Sequence, residues 1–283
     1  MDVSTQRLEQ AVAELVARAL AEDVGSGDIT TDGLFGARDV CRAGIELKEP
    51  GIVCGLSVVR AVFAALDGEV TFEGLADDGD FIDDTPRVIA RVIGRTRAVL
   101  SGERVALNLL GRLSGIATLT RTFVDEVAGT GVSILDTRKT TPGLRALEKY
   151  AVRTGGGVNH RFGLDDAVLV KDNHLRLAGG VAAAVVRLRD ATFLPLEIEA
   201  DTLEQVEQAL ALGVELILLD NMTPREVARA ALAAAGRAQL EVSGGVTLET
   251  VRAYAEAGAN AISIGALTHS ARSLDVSLEV EEP

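Results

Sequence analysis

The chain has 283 residues, 47% hydrophobic and 25% charged, which is the composition of a soluble globular protein with one large domain or two ordinary ones. A formal net charge of −14, no Trp and only 3% aromatics argue against binding a phosphate backbone or stacking on bases, so no nucleic acid partner is expected. Cys41 and Cys54 lack the spacing of a metal site or disulfide framework and read as buried thiols; with no leader pattern and no uncharged apolar run of about 18 residues, a cytoplasmic protein with no membrane contact is expected.

Residues 4–21 place Leu8, Val12, Leu15, Val16, Ala19 and Leu20 on one face of an amphipathic helix. The Gly- and Asp-rich stretch EDVGSGDITTDG then reads as a loop. GIELKEPGIVCGL suggests two strands around Pro50-Gly51, followed by a helix over 57–66, a strand over Val70–Leu75, a DDGD turn at 77–80 and a strand over Val88–Leu100. These elements predict an α+β domain over roughly the first hundred residues. Ser101 is placed to cap a long helix with Glu103 in its first turn, ending near Ala128 before Gly129 and Gly131.

Beyond this helix come six short apolar runs: Val132–Leu135, Ala167–Val170, Leu196–Ile198, Leu216–Leu219, Leu240–Val242 and Ala261–Ile264. Helix signals fill the gaps. Thr141-Pro142 opens one helix and Gly180–Asp190 supplies another; Asp201 with Glu204 and Thr223-Pro224 with Glu226 form capping boxes, and Thr247 caps a helix that Gly258 ends. Strand–helix alternation predicts a parallel sheet, and this many units a barrel; fewer than eight leave it incomplete or open.

The residues that follow these strands carry the chemistry. They are Asp136 with Arg138-Lys139, then Lys171, Glu199, Asp220, Ser243-Gly244-Gly245 and Gly265. Barrel active sites lie at the C-terminal ends of strands. Taken singly, each residue could be a helix cap or turn. Together, cations follow the first two strands, carboxylates the next two and glycines the last two. Glycines let backbone N–H groups approach an anion, so the last two junctions suit a phosphate monoester. Glu199 and Asp220 could bind Mg²⁺, hold sugar hydroxyls, or act as acid and base. Arg138, Lys139, His160, Arg161 and Lys171 would face a second anionic group, which arginine grips with paired hydrogen bonds. The ligands suggested are a phosphorylated sugar and a second anionic reactant.

LAEDVGSGDIT at 20–30, SGERVALNLLGRLSGIAT at 101–118, the tract DTRKTTPGLRALEKYAVRTGGGVNHRFGLDDAVLVKDNH at 136–174, EIEA at 197–200, LLDNM at 218–222, SGGV at 243–246 and IGALTHS at 264–270 carry a resemblance to the quinolinate phosphoribosyltransferases over almost the whole chain. Asp84-Thr85-Pro86 departs from it, in place of an expected glycine turn. The resemblance implies an N-terminal α/β sandwich, 1–105 completed by 271–283, and a TIM-barrel-like open α/β barrel, 106–270. It implies transfer of phosphoribose from phosphoribosyl pyrophosphate (PRPP) to quinolinate with decarboxylation, giving nicotinate mononucleotide, pyrophosphate and CO₂ in de novo NAD biosynthesis. It assigns Arg104, Arg138, His160, Arg161 and Lys171 to the quinolinate carboxylates, with Arg104 lent across a homodimer that could assemble further. Thr137 joins the substrate-binding set, Lys139 sits near the transferring diphosphate, and Glu199 and Asp220 hold the ribose hydroxyls and the metal shell. Ser243, Gly244, Gly245, Ile264, Gly265 and Ala266 surround the 5′-phosphate. Mg²⁺ is expected to arrive with PRPP, with no direct protein ligand and no organic cofactor. The rival readings are a related phosphoribosyltransferase acting on nicotinate or another ring acid, a barrel lyase or isomerase for a sugar phosphate, and a non-catalytic binder.

Overall fold

The structure, a computed structural model, describes residues 3–281. In chain order its elements are α1 (Val3–Asp23), α2 (Ile29–Leu34), β1 (Val40–Leu47), β2 (Gly51–Ile52), α3 (Leu56–Leu66), β3 (Thr71–Gly74), β4 (Phe81–Ile82), β5 (Arg87–Arg95), α4 (Thr96–Glu126), β6 (Ser133–Leu135) and α5 (Arg145–Thr154). They continue as β7 (Val168–Val170), α6 (Asp172–Ala178), α7 (Val181–Ala191), β8 (Leu196–Ala200), α8 (Leu203–Ala211), β9 (Leu216–Asp220), α9 (Pro224–Ala234), β10 (Gln239–Ser243), α10 (Leu248–Glu256), β11 (Ala261–Ser263), α11 (Ala266–His269) and β12 (Val276–Val280). Two compact units result. The first takes the chain up to Leu119, Thr140–Gly156 and everything from Leu267 onward; the second takes Thr120–Lys139 and Gly157–Ala266.

The first unit is built on an antiparallel sheet of order β12-β1-β5-β3, with a small β2-β4 pair. The last strand closes its edge: Ala43 pairs with Val280 and Leu47 with Val276. Its core joins Ala43, Ile45 and Leu47 of β1 to Val59, Val62 and Phe63 of α3 and to Leu110, Leu113 and Ile116 of α4, all buried. The amphipathic face of α1 packs on α3 and α5 with Val16 and Leu20 buried. Asp78, in the DDGD turn, accepts the amides of Gly55 and Leu56 and the Tyr150 hydroxyl, so one carboxylate caps α3 and anchors α5. The segment after Thr268 lies directly on α4: the Leu274 amide donates to the Gly111 carbonyl at 3.0 Å, and a Cβ on Gly115 would strike the Arg272 carbonyl.

The second unit is a six-stranded, all-parallel sheet of order β6-β11-β10-β9-β8-β7. Its edges, β6 and β7, are consecutive strands that do not pair, so the barrel is open between them. Val158 partly covers the β6 edge through a parallel bridge to Leu135. The register sorts the side chains by face. Val170, Ile198, Ile217, Leu219, Leu240, Val242, Ile262 and Ile134 share one face and are all buried. Burial of each is worth about 1.5–3 kcal/mol, and this face holds the sheet together. The other face carries Glu197, Glu199, Asp220, Glu241, Ser243 and Ser263.

Several local expectations are corrected. The glycine- and Asp-rich stretch contains α2, because Asp28 takes the Thr31 amide at 3.0 Å and nucleates a turn. Helix α4 starts at Thr96 rather than at Ser101: the Thr96 amide bonds the Asp39 carbonyl, so helix follows β5 with no loop, and Ser101 instead donates to Asp28. Thr141-Pro142 forms a turn ahead of α5, since the Thr141 amide and hydroxyl are both taken by Glu148. Helix α6 follows β7 directly, before the expected α7. Thr202 with Gln205, rather than Asp201 with Glu204, makes the box of α8. Cys54 is buried but Cys41 only partly, near the start of β1. Asp84-Thr85-Pro86 contains a cis Thr85–Pro86 peptide.

Candidate active site

The polar face of the second sheet ends in a row of loops, and the strands position their side chains. Asp136, fully buried just after β6, accepts from Asn159 Nδ2 at 2.5 Å and from the His160 amide at 2.9 Å. With the Val158 bridge, this carboxylate fastens residues 158–160 beside the end of β6. His160 is thereby turned inward. Its Nε2 lies 3.3 Å from Glu197 Oε2 and 3.4 Å from Glu241 Oε1, and its Nδ1 accepts the Arg161 amide at 2.7 Å. Ser263 donates to Glu241. Burial first, and then the neighbouring Glu197 carboxylate, push Glu241 up to about 7, against the opposing pull of His160 and Ser263.

Arg161 donates Nη1 to the Ala167 carbonyl at 2.9 Å. Burial, and then the charge of Arg138, lower its pKa, so two guanidinium groups repel one another in a partly desolvated place. An anion between them would relieve that repulsion. Thr137 steadies the same loop by taking the Lys139 amide at 3.0 Å.

Lys171 caps α6 after β7 and donates Nζ to Glu199 Oε2 at 2.9 Å; Glu199 also takes the Asp172 amide at 3.2 Å. Carboxylate oxygens of Glu199, Asp201 and Asp220 lie within 4.8 Å of one another. The Asp220 carboxyl is raised by burial, then by Glu199 and Asp201, while Lys171 and Lys139 pull it down. The two lysines and three carboxylates thus form one electrostatic group. Hard oxygen donors of this kind suit Mg²⁺, which would relieve the repulsion that raises Asp220.

On the far side, Gly244 and Gly245 follow β10 with φ of +96° and +61°. A Cβ on Gly244 would run into the Asn221 side chain and come within 2.9 Å of the Asn221 backbone nitrogen. Asn221 is itself held by the Ser243 carbonyl at 2.9 Å. A Cβ on Gly245 would meet nothing within 4 Å, so the backbone just before α10, capped by Thr247, is open there for an anion to approach. Ile264 is buried, and its amide donates to the Leu135 carbonyl at 2.9 Å, which sets the Gly265-Ala266 loop beside the loop of Thr137–Lys139.

The second unit therefore brings together every expected site residue but one. Arg104 lies in the first unit, exposed on α4, with Glu103 at 3.7 Å. The sequence singled out Asp136 at its strand end, where it fastens the loop that carries His160, but gave no role to Asn159, Glu197, Glu241 or Ser263. The signal available was Glu197 and Glu199 within LEIEA, an apolar strand whose five residues are all buried. Charge at alternate positions of such a strand marks the inner face of a barrel.

The family model described as the N-terminal domain of quinolinate phosphoribosyl transferase matches residues 28–114, and that described as its C-terminal domain matches residues 116–279. A Bacillus subtilis (strain 168) protein named "Probable nicotinate-nucleotide pyrophosphorylase (carboxylating)" is 44% identical over 269 residues, covering 94% of this chain and 92% of its own. The nicotinate-nucleotide pyrophosphorylase (carboxylating) of Mycobacterium leprae (strain TN) is 43% identical, over 95% of this chain and 97% of its own. The crystal structure of NadC from Streptococcus pyogenes superposes with a TM-score of 0.92 at 39% identity, covering 100% of both chains. With both domain models matched in order and relatives of this identity aligned nearly end to end, the chain belongs to the quinolinate phosphoribosyl transferase family.

Proposed function

We infer that this chain transfers phosphoribose from PRPP to quinolinate with loss of CO₂, forming nicotinate mononucleotide and pyrophosphate in de novo NAD biosynthesis. The observation that carries this reading is the single polar face on which paired guanidinium groups, a lysine–carboxylate group and an open glycine loop follow one another along the strand ends of a chain aligned over its length with this family.

Arg138, Arg161 and Lys171, with His160 beside them, hold the two carboxylates of quinolinate; Arg104 completes the set from the partner of a homodimer. Gly244, Gly245, Gly265 and Ala266, bordered by Ser243 and Ile264, take the 5′-phosphate on backbone N–H groups. Glu199 and Asp220 hold the ribose hydroxyls and face the positive charge that develops on the ribose as the bond to pyrophosphate breaks. Lys139, steadied by Thr137, offsets charge on the departing diphosphate. Mg²⁺, when bound with PRPP, supplies further charge neutralisation there, with Glu199 and Asp220 nearby. The quinolinate nitrogen displaces pyrophosphate and becomes cationic. The bond to the C2 carboxylate then breaks; its electron pair stays on the ring carbon beside that cation, and a proton takes the place of CO₂. No organic cofactor enters this balance. Among the described residues no helix is long and apolar enough to cross a membrane, and we place the reaction in the cytoplasm.

The test is turnover of the purified protein with PRPP and Mg²⁺, with quinolinate in one arm and nicotinate in the other, following CO₂ and mononucleotide. Equal CO₂ and mononucleotide from quinolinate alone supports the reading, and chelating Mg²⁺ is expected to abolish both. Product from nicotinate alone would overturn the carboxylate assignments and leave the phosphate site standing.

A further inference from the structure

We propose that the Arg112–Glu148 ion pair, whose carboxylate is fully buried, is a positioning device that sets both phosphate-handling loops of the PRPP site; the proposal rests on the functional reading above. Arg112 of α4 reaches Glu148 of α5 through Nη2 at 2.8 Å and Nε at 3.3 Å. The Glu148 carboxylate is fully buried. It has two further donors, the Thr141 amide at 3.0 Å and the Thr141 hydroxyl at 2.9 Å. On its other side Arg112 donates to the Ala271 carbonyl at 2.8 Å and to the Thr268 carbonyl.

The places of these partners in the chain give the pair its role. Thr141 stands two residues after Lys139, and Thr268 two residues after Ala266. The loops that end there leave neighbouring strands, β6 and β11, which pair in register through Ile134 and Ile262. One carboxylate and one guanidinium therefore grip the chain just downstream of the group assigned to the diphosphate and just downstream of the loop assigned to the 5′-phosphate. These are the two charged ends of the same ligand, and their spacing must match it.

The chemistry chosen argues for positioning over bulk stability. A buried ion pair gains little over well-packed apolar residues, because desolvation offsets its attraction. What the pair supplies is direction. The planar guanidinium places several donors at fixed angles toward one carboxylate and two carbonyls, which a lysine could not reproduce. The carboxylate consumes the Thr141 amide, and that holds Thr141-Pro142 as a turn ahead of α5.

The test uses full-length Thr141→Val and Arg112→Lys. Thr141→Val removes one hydroxyl bond to Glu148 at nearly constant shape, so it carries the test even if Arg112→Lys does not fold. In folded variants the KM for PRPP is expected to rise about tenfold while the KM for quinolinate, held also by Arg161 and Lys171, moves less than about twofold, the scale of loss that slight misplacement produces. Calorimetric titration with PRPP alone should show the same weakening without turnover. Unchanged PRPP binding and KM in folded variants of lowered thermal midpoint would overturn the proposal and leave a merely structural pair. A wild-type protein that does not use PRPP would instead strike down the functional reading.

Discussion

Replacing Lys171 with Met tests whether the lysine–carboxylate group is read correctly. Lys171 Nζ meets Glu199 Oε2 at 2.9 Å, with the lysine side chain 49% exposed and the glutamate 8%. Breaking a fully buried pair costs about 3–5 kcal/mol, because a charge is left uncompensated. An exposed pair is worth about 0–1 kcal/mol. Half-exposed Lys171 lies between, and Glu199 keeps the Asp172 amide, so a loss of about 1–2 kcal/mol is expected. That corresponds to a fall of about 3–6 °C in thermal midpoint. Asp220 would lose one of the two lysines that hold it down, so its carboxyl would rise further. Adding Glu199→Gln to Lys171→Met removes the stranded charge. The double variant should recover most of the midpoint and none of the turnover. Thermal melts of wild type, both single variants and the double variant give the coupling. Additive losses, with no recovery in the double variant, would refute the reasoning, because they would mean that Glu199 does not depend on Lys171.

Arg138→Ala is expected to raise the KM for quinolinate strongly with the fold intact; a wild-type KM would remove Arg138 from the carboxylate site. Gly244→Ala places a side chain at a φ of +96° against Asn221, and should weaken PRPP binding by about tenfold or more while costing about 1–2 kcal/mol of stability, read by titration and by melts. Glu241→Gln addresses pH. The Glu241 carboxyl is raised to about 7 in the fold and titrates near 4.3 when unfolded, so the stability that this group contributes is lost as pH rises through that window, and its contribution is constant above it. Relative to wild type, Glu241→Gln should gain up to about 3 kcal/mol between pH 4.5 and 7, measured as urea midpoints across pH; a difference that does not change with pH would count against the buried, repelled carboxylate.

Periodicity alone located all six strands of the open barrel, because a parallel strand under helices is a short apolar run whatever packs around it. The same holds for the residues at the ends of those strands, since Lys171, Asp220 and Ser243-Gly244-Gly245 stand out as polar or glycine breaks in apolar sequence, although Asp220 and Ser243 prove to be the last residues of β9 and β10 rather than the first beyond them. The boundaries of α4 and α5 were decided elsewhere. Ser101 looks like a cap and Thr141-Pro142 like a helix start, yet the Asp39 carbonyl, far away in sequence, and the Glu148 carboxylate, buried in the first turn of α5 itself, claim the backbone groups that set where each helix begins. Glu197 and Glu241 were likewise invisible as partners of His160. Strands distant in sequence bring them to one imidazole, and only the register and the curl of the sheet decide which faces meet. Propensity and capping are local and can be read along the chain. Which buried polar groups satisfy one another depends on contacts made after the chain has closed on itself, and in this protein those contacts hold the site loops in place.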